Sequence, residues 1–207
     1  MVDVVQIKRS LKEDFLIVGD VTIDAHTGKV HVAGDVQLIA DCDQMSVQFG
    51  RVMGDFDCAD HGLTTLEGSP QHVVGKFSCN MNNLASLAHA PHHVDGVFDA
   101  SYNNITHLTH MPTYVGASFW IYGNPLESLV GLDKLDQIHG ELWCTYSDQL
   151  PLLRSVLVRS MHLSDGDQDT PILLNDIIKK YVGKGKAHML NLALELKQAG
   201  FEGNAKW

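Results

Sequence analysis

The chain has 207 residues, 44% of them apolar and 19% charged, with a formal net charge of −10. That length and balance describe one or two packed domains and exclude a disordered chain, while the acid excess argues against a general affinity for nucleic-acid phosphate. No apolar run approaches the roughly 20 residues that cross a bilayer, and the start MVDVVQIKRSLKEDF has no hydrophobic segment followed by a cleavage site, so a cytoplasmic protein without membrane contact is expected.

Residues 1–55 carry a loose Gly-x-apolar-x-apolar signal: Gly19 before Val21 and Ile23, Gly34 before Val36 and Leu38, Gly54 before Phe56 and Cys58. Its spacings of 15 and 20 residues predict an irregular N-terminal β cap, strands or hairpins that begin a sheet and shield its first edge.

Between residues 56 and 147 four stretches superpose without a gap: FDCADHGLTTLEGSPQHVVGK from Phe56, FSCNMNNLASLAHAPHHVDGV from Phe77, FDASYNNITHLTHMPTYVGAS from Phe98 and FWIYGNPLESLVGLDKLDQIH from Phe119. A period held at 21 residues makes each unit one coil of a solenoid, stable only when stacked on its neighbours. Gly140, Leu142, Trp143 and Cys144 supply a fifth coil after a two-residue insertion.

Because alternate strand residues face opposite sides, Phe77 and Cys79, and their equivalents in other coils, point inward. Asp57, Ser78, Asp99 and Trp120 then point outward. Asn82, Asn103 and Asn124 follow the strand where the chain turns, and their amides can satisfy backbone groups that a buried turn leaves unpaired; His61 takes this place in the first unit. Pro70, Pro91 and Pro112 suit an extended or 3₁₀ return arm rather than a second hydrogen-bonded ladder.

Read as FSCNMNNL, FDASYNNI and FWIYGNPL, the unit resembles the leucine-rich repeat, whose core is LxLxxNxL. The phrase N-x-L-x-S-L-x-x-x-P, carried by Asn82 to Pro91 and Asn103 to Pro112, is similar to a short variant found in proteins of tailed bacteriophages, as is the ending GKGKAHMLNLALELKQAGFEGNAKW. The resemblance implies an α+β repeat solenoid of parallel stacked short strands, in a viral protein acting in the host cytoplasm. It implies no activity, because such folds are scaffolds.

Beyond Ser147 the periodicity turns helical, which predicts a C-terminal helical cap over 148–207. Leu150 to Ser160 has helical spacing and Ser164 to Asp169 reads as a polar loop. Thr170 and Pro171 start a helix that Gly183 ends, and a third runs from about Lys186 to Gln198.

Candidate chemistry is sparse. Cys58, Cys79 and Cys144 share an inward column and read as core; with Cys42 they make no CxxC pair, so neither zinc knuckle nor disulfide framework is signalled. His72 and His93 are equivalent one coil apart, as are His89 and His110, but no carboxylate or cysteine recurs beside them, and repeat histidines on a solvated surface are expected rather than a metal site. Catalytic triads, phosphate-binding loops and HExxH helices are absent, and Asp57 and Asp99 lie two coils apart. No enzyme, cofactor or metal is expected.

The outward sheet face runs from acidic to aromatic, and the residues expected to bind a partner are Asp57, Asp60, Met81, Asp99, Tyr102, Trp120, Tyr122, Trp143 and Tyr146. Trp120 and Trp143 stand equally to be covered by the C-terminal helices. Two functions follow: a module that binds and inhibits a host protein with basic and apolar surface, such as a defence component, or a structural or assembly protein, including a homodimer. Direct nucleic-acid binding is not expected.

Overall fold

The computed structural model of the chain describes residues 2–132, 137–164 and 171–207. Short strands stack into two parallel ladders. One runs through Phe56–Asp57 (β4), Phe77–Ser78 (β6), Phe98–Asp99 (β8), Phe119–Trp120 (β10), Leu142–Thr145 (β12) and Met161–Ser164 (β13). The other runs through Phe49–Val52 (β3), His72–Val73 (β5), His93–Val94 (β7), Tyr114–Val115 (β9) and Gln137–Ile138 (β11). A longer strand, Val30–Leu38 (β2), belongs to both, meeting β3 at Val30 and Val32 and β4 at Val36 and Gln37.

The return arm was expected to lack a second ladder, and the structure corrects this. Each proline precedes a two-residue strand: after Pro70, His72 pairs with Arg51 and His93, and Val73 pairs with Val52 and Val94. Proline forfeits its donor only at its own position, so pairing resumes two residues later.

The two ladders meet at a bend occupied by Gly34, Gly54, Gly75 and Gly96. There the N–H groups of Gly54, Gly75 and Gly96 each donate to the glycine carbonyl of the preceding coil at 2.9–3.1 Å. The approach is so close that a Cβ on Gly96 would lie 2.5 Å from the Gly75 oxygen. In the next coil Ala117 takes this position and donates to Gly96 at 3.2 Å.

Inside, the register forces like onto like. Phe49, Phe56, Phe77, Phe98 and Phe119 are fully buried, and successive rings lie 5.0–5.7 Å apart. Burial of each ring contributes on the order of 2 kcal/mol. Cys58, Cys79 and Cys144 fill the second column, where burial pushes their thiols up and leaves them as small apolar groups.

The turn after each front strand is held by a buried asparagine. Asn103 Nδ2 donates to the carbonyls of Cys79, one coil back, and of Ala100 and Ser101 in its own coil, at 3.0–3.2 Å; its Oδ1 accepts from Leu84 N–H at 3.0 Å. Asn82 and Asn124 repeat the pattern on Cys58 and Leu63, and on Ala100 and Ile105. Each amide therefore closes its own turn and ties it to the preceding coil. In the C-terminal tail Asn204 donates to Ser147 and Leu150 carbonyls at 2.8 and 2.9 Å, at the turn where the fifth coil has no asparagine.

At the N-terminal end, β2 pairs antiparallel with Phe15–Ile23 (β1), Gly19 opposite Gly34, as the glycine signal predicts. The sequence reading omits the helix Val4–Asp14 (α1) that precedes β1. Its start was legible: Asp3 accepts a hydrogen bond from Gln6 N–H at 3.0 Å, an N-cap arrangement. Leu11 and Phe15 close the core there, the Phe15 ring 5.1 Å from Phe49.

At the other end the solenoid continues further than Ser147. Met161–Ser164 adds a rung paired in parallel with Leu142–Thr145, and the expected helix over 150–160 reduces to a 3₁₀ turn at Leu153–Leu157. Of the expected polar loop, 165–169 lie outside the described residues. Two helices follow, Ile172–Tyr181 (α2) and Met189–Gln198 (α3). Asn175 of α2 accepts from Leu163 N–H and donates to Leu163 C=O at 3.0 and 3.1 Å, sealing the last strand. No described helix is long and apolar enough to cross a membrane.

Replacing Asn103 by Ala removes four buried hydrogen bonds, and a loss of roughly 2–4 kcal/mol is expected by denaturant unfolding. The exposed neighbour Asn104→Ala is expected to change stability by less than about 0.5 kcal/mol in the same measurement.

Candidate functional site

The outward column of the front ladder, read from the strand register, is Gln37, Asp57, Ser78, Asp99, Trp120, Trp143 and His162. Beside it the turn residues Asp60, Met81, Tyr102 and Gly123 all have positive φ, from 53° to 70°. Left-handed backbone is costly for Met and Tyr, and it lifts both side chains off the sheet. Met81 is 54% exposed and Tyr102 49%. The Tyr102 ring lies across Gly123, where a Cβ would come within 2.5 Å of its Cδ1.

Four aromatic residues gather at one place. Tyr102 and Tyr122 meet edge to face, 5.3 Å between centroids at 84°. Together with Ser118, Trp120, Glu141, Trp143 and Ser164 they line a cavity of about 440 Å³. Its walls are aromatic and its polar groups few, the composition of a recognition surface. Glu141 positions the wall: its carboxylate accepts from Trp143 Nε1–H at 3.1 Å and from Ser160 Oγ at 3.0 Å. Lys76 Nζ stands 5.6 Å from the Trp120 ring centroid as a cation–π neighbour.

The two tryptophans are half-buried, and the cover over Trp143 is not helical. Its ring packs on His162 of β13 at 4.2 Å, and no α2 or α3 residue lines the cavity among the described residues. An extra coil stands where a folded-back helix was one of the two equal alternatives.

Two of the expected site residues are engaged within the chain. Asp99 lies on the outward face but is only 5% exposed: Ser101 Oγ donates to Oδ1 at 2.6 Å and Lys76 Nζ stands 3.3 Å from Oδ2. Large neighbours, with Trp120 next in register, close over the short side chain. Tyr146 packs partly against the core, its hydroxyl donating to Asp148, and does not line the cavity.

Asp57 and Asp60 are exposed, as expected, in the coil that lies two before the one carrying Tyr102. The acidic bend residues have an internal use instead: Asp35 accepts from Asp55 N–H at 2.8 Å and Asp55 from Lys76 N–H at 2.7 Å. Sequence reasoning missed Lys76, Ser118, Glu141, His162 and Ser164 at the site. The alternation Met161-His162-Leu163-Ser164, apolar in and polar out, was the available signal for the last two.

Comparison with protein-family models, with curated proteins and with solved structures returns no match.

Asp99→Ala is expected to lower stability by roughly 1–3 kcal/mol, because it leaves Ser101 and Lys76 without their acceptor, whereas Asp57→Ala changes it by less than about 0.5 kcal/mol. Thermal or denaturant unfolding of the two variants checks the pair.

Proposed function

We propose that the chain is a non-enzymatic, leucine-rich-repeat-like binding module, of bacteriophage origin, that docks its aromatic sheet face on a host protein and blocks it. The observation that supports this reading is the cavity lined by Tyr102, Trp120, Tyr122 and Trp143, with Met81 and Tyr102 raised on left-handed turns and the exposed carboxylates of Asp57 and Asp60 on the same face. Exposed aromatic rings with two χ angles offer large contact area at low entropic cost. The partner surface that fits carries an apolar projection for the cavity and basic groups for the carboxylates. A host defence component is the class of target the viral resemblance favours.

A second reading is a self-associating or assembly protein. The edge strand β1 supports it, since Leu16, Val18 and Val21 are exposed along a strand whose outer hydrogen-bonding edge has no partner strand among the described residues.

Affinity capture from host lysate, followed by measurement of the complex by light scattering, separates the two. The inhibitor reading predicts a complex with one host protein whose affinity falls about 30-fold, on the order of 2 kcal/mol, in Tyr102→Ala or Trp120→Ala with the melting temperature kept. Undiminished binding in both variants contradicts the proposed face. A homodimer disrupted by Val18→Lys, with no host partner, supports the second reading.

A further inference from the structure

The second ladder carries a cluster that the aromatic face does not use. His72 of β5 and His93 of β7 are paired in register, and Val73 and Val94 point into the core beside them. The two imidazoles therefore project from the same side, ring centroids 4.5 Å apart. Asp95 follows β7 directly. Its N–H donates to Val73 C=O at 2.9 Å, which fixes its backbone beside the pair. Its Oδ2 lies 3.0 Å from His72 Nε2 and its Oδ1 2.9 Å from His93 Nε2. No carboxylate recurs in this column, since the equivalent positions hold Val74 and Gly116; the fold supplies one, once, where two histidines already stand.

The arrangement has the dimensions of a coordination site. All three residues offer a ligand atom within 4.8 Å of the others. Tetrahedral zinc with nitrogen or oxygen at about 2.0–2.1 Å spaces its ligands about 3.3 Å apart, so the observed N···O separations need to open by only a few tenths of an ångström. The rings are already oriented: His93 stacks on Tyr114 at 4.2 Å and 8°, and both histidines sit on hydrogen-bonded strands. With side chains 28%, 41% and 39% exposed, the cluster is open to ions from solvent.

We propose that His72, His93 and Asp95 form a binding site for a divalent transition-metal ion, with Zn²⁺ preferred, using both Nε2 atoms and a carboxylate oxygen. Two neutral imidazoles and one carboxylate are a borderline donor set that suits Zn²⁺, Co²⁺, Ni²⁺ or Cu²⁺, whereas Ca²⁺ and Mg²⁺ require an oxygen shell. Metal binding at both Nε2 atoms requires each imidazole in the tautomer that carries its proton on Nδ1, and it exchanges the two Nε2–Asp95 hydrogen bonds for bonds to the ion. Three protein ligands leave a position for water or for a side chain of a bound protein.

The test is calorimetric titration of Zn²⁺ into the untagged, chelator-treated full-length protein, with Co²⁺ followed by visible absorption as a second probe. One equivalent is expected to bind in the micromolar range, with the intense d–d bands of tetrahedral Co²⁺. Affinity is expected to fall at least about tenfold in His72→Ala, His93→Ala and Asp95→Asn. The His89→Ala, His110→Ala double variant, altered outside the cluster, is expected to bind as the wild type does. Zn²⁺ is also expected to raise the wild-type melting temperature and to lose this effect in Asp95→Asn. Absence of wild-type binding, or binding unchanged in the three cluster variants, overturns the proposal. Should a cluster variant melt without metal at a lower temperature, the wild-type Co²⁺ spectrum decides by itself: octahedral bands alone overturn the site.

Discussion

A short amide buried at the turn of each coil cannot be left without partners, and it finds them in the carbonyls of its own turn and in a carbonyl and an N–H of the coil behind it. Asn82, Asn103 and Asn124 meet that demand identically, each donating one coil back to Cys58, Cys79 and Ala100. A buried polar group without partners costs about as much as several good contacts gain, so slippage between coils is heavily penalised. Because side chains alternate across a strand, a one-residue slip would also turn the phenylalanine column outward. Hydrogen bonding and burial thus enforce the same 21-residue register.

Once coils are locked in register, equivalent positions become columns, and every column acquires a use. The bend column needs close backbone approach and is held by glycine with a single alanine. The inward columns need volume and hold Phe, Cys and Leu. The left-handed turn columns, Asp60-Met81-Tyr102-Gly123 and Gly68-His89-His110-Gly131, tolerate strain and display whatever residue they carry. The repeat accordingly separates stability from recognition: side chains on the front face and on the second ladder vary without disturbing the core, and these are where the aromatic cavity and the His72–His93–Asp95 cluster arise.

Much of the fold was legible because it is periodic. Columns that recur at one spacing, such as Phe77-Phe98-Phe119 and Asn82-Asn103-Asn124, declare both the coil and its inward face. What recurs once, or out of period, was not legible. The coil at Met161–Ser164 has a single four-residue strand and no asparagine, and its flanking leucines imitate helical spacing. Asp99 shares the alternation of an exposed residue, yet exposure depends on the size of neighbours in adjacent coils, Lys76 and Trp120, which a two-residue period does not encode. Asp95 is likewise silent in the repeat, since its meaning comes from a histidine 23 positions earlier that the register brings alongside.

The claim that coils are equivalent and stacked in register is tested most directly by excising one of them. Deletion of residues 77–97, one full period, joins Lys76 to Phe98 and brings Phe98 and Asn103 against Phe56 and Cys58 in place of Phe77 and Asn82. The account predicts a folded protein that unfolds cooperatively with a β-rich circular dichroism spectrum, while deletion of residues 77–92, out of period, abolishes folding. Loss of structure in the in-period deletion, or equal tolerance of both deletions, would contradict it.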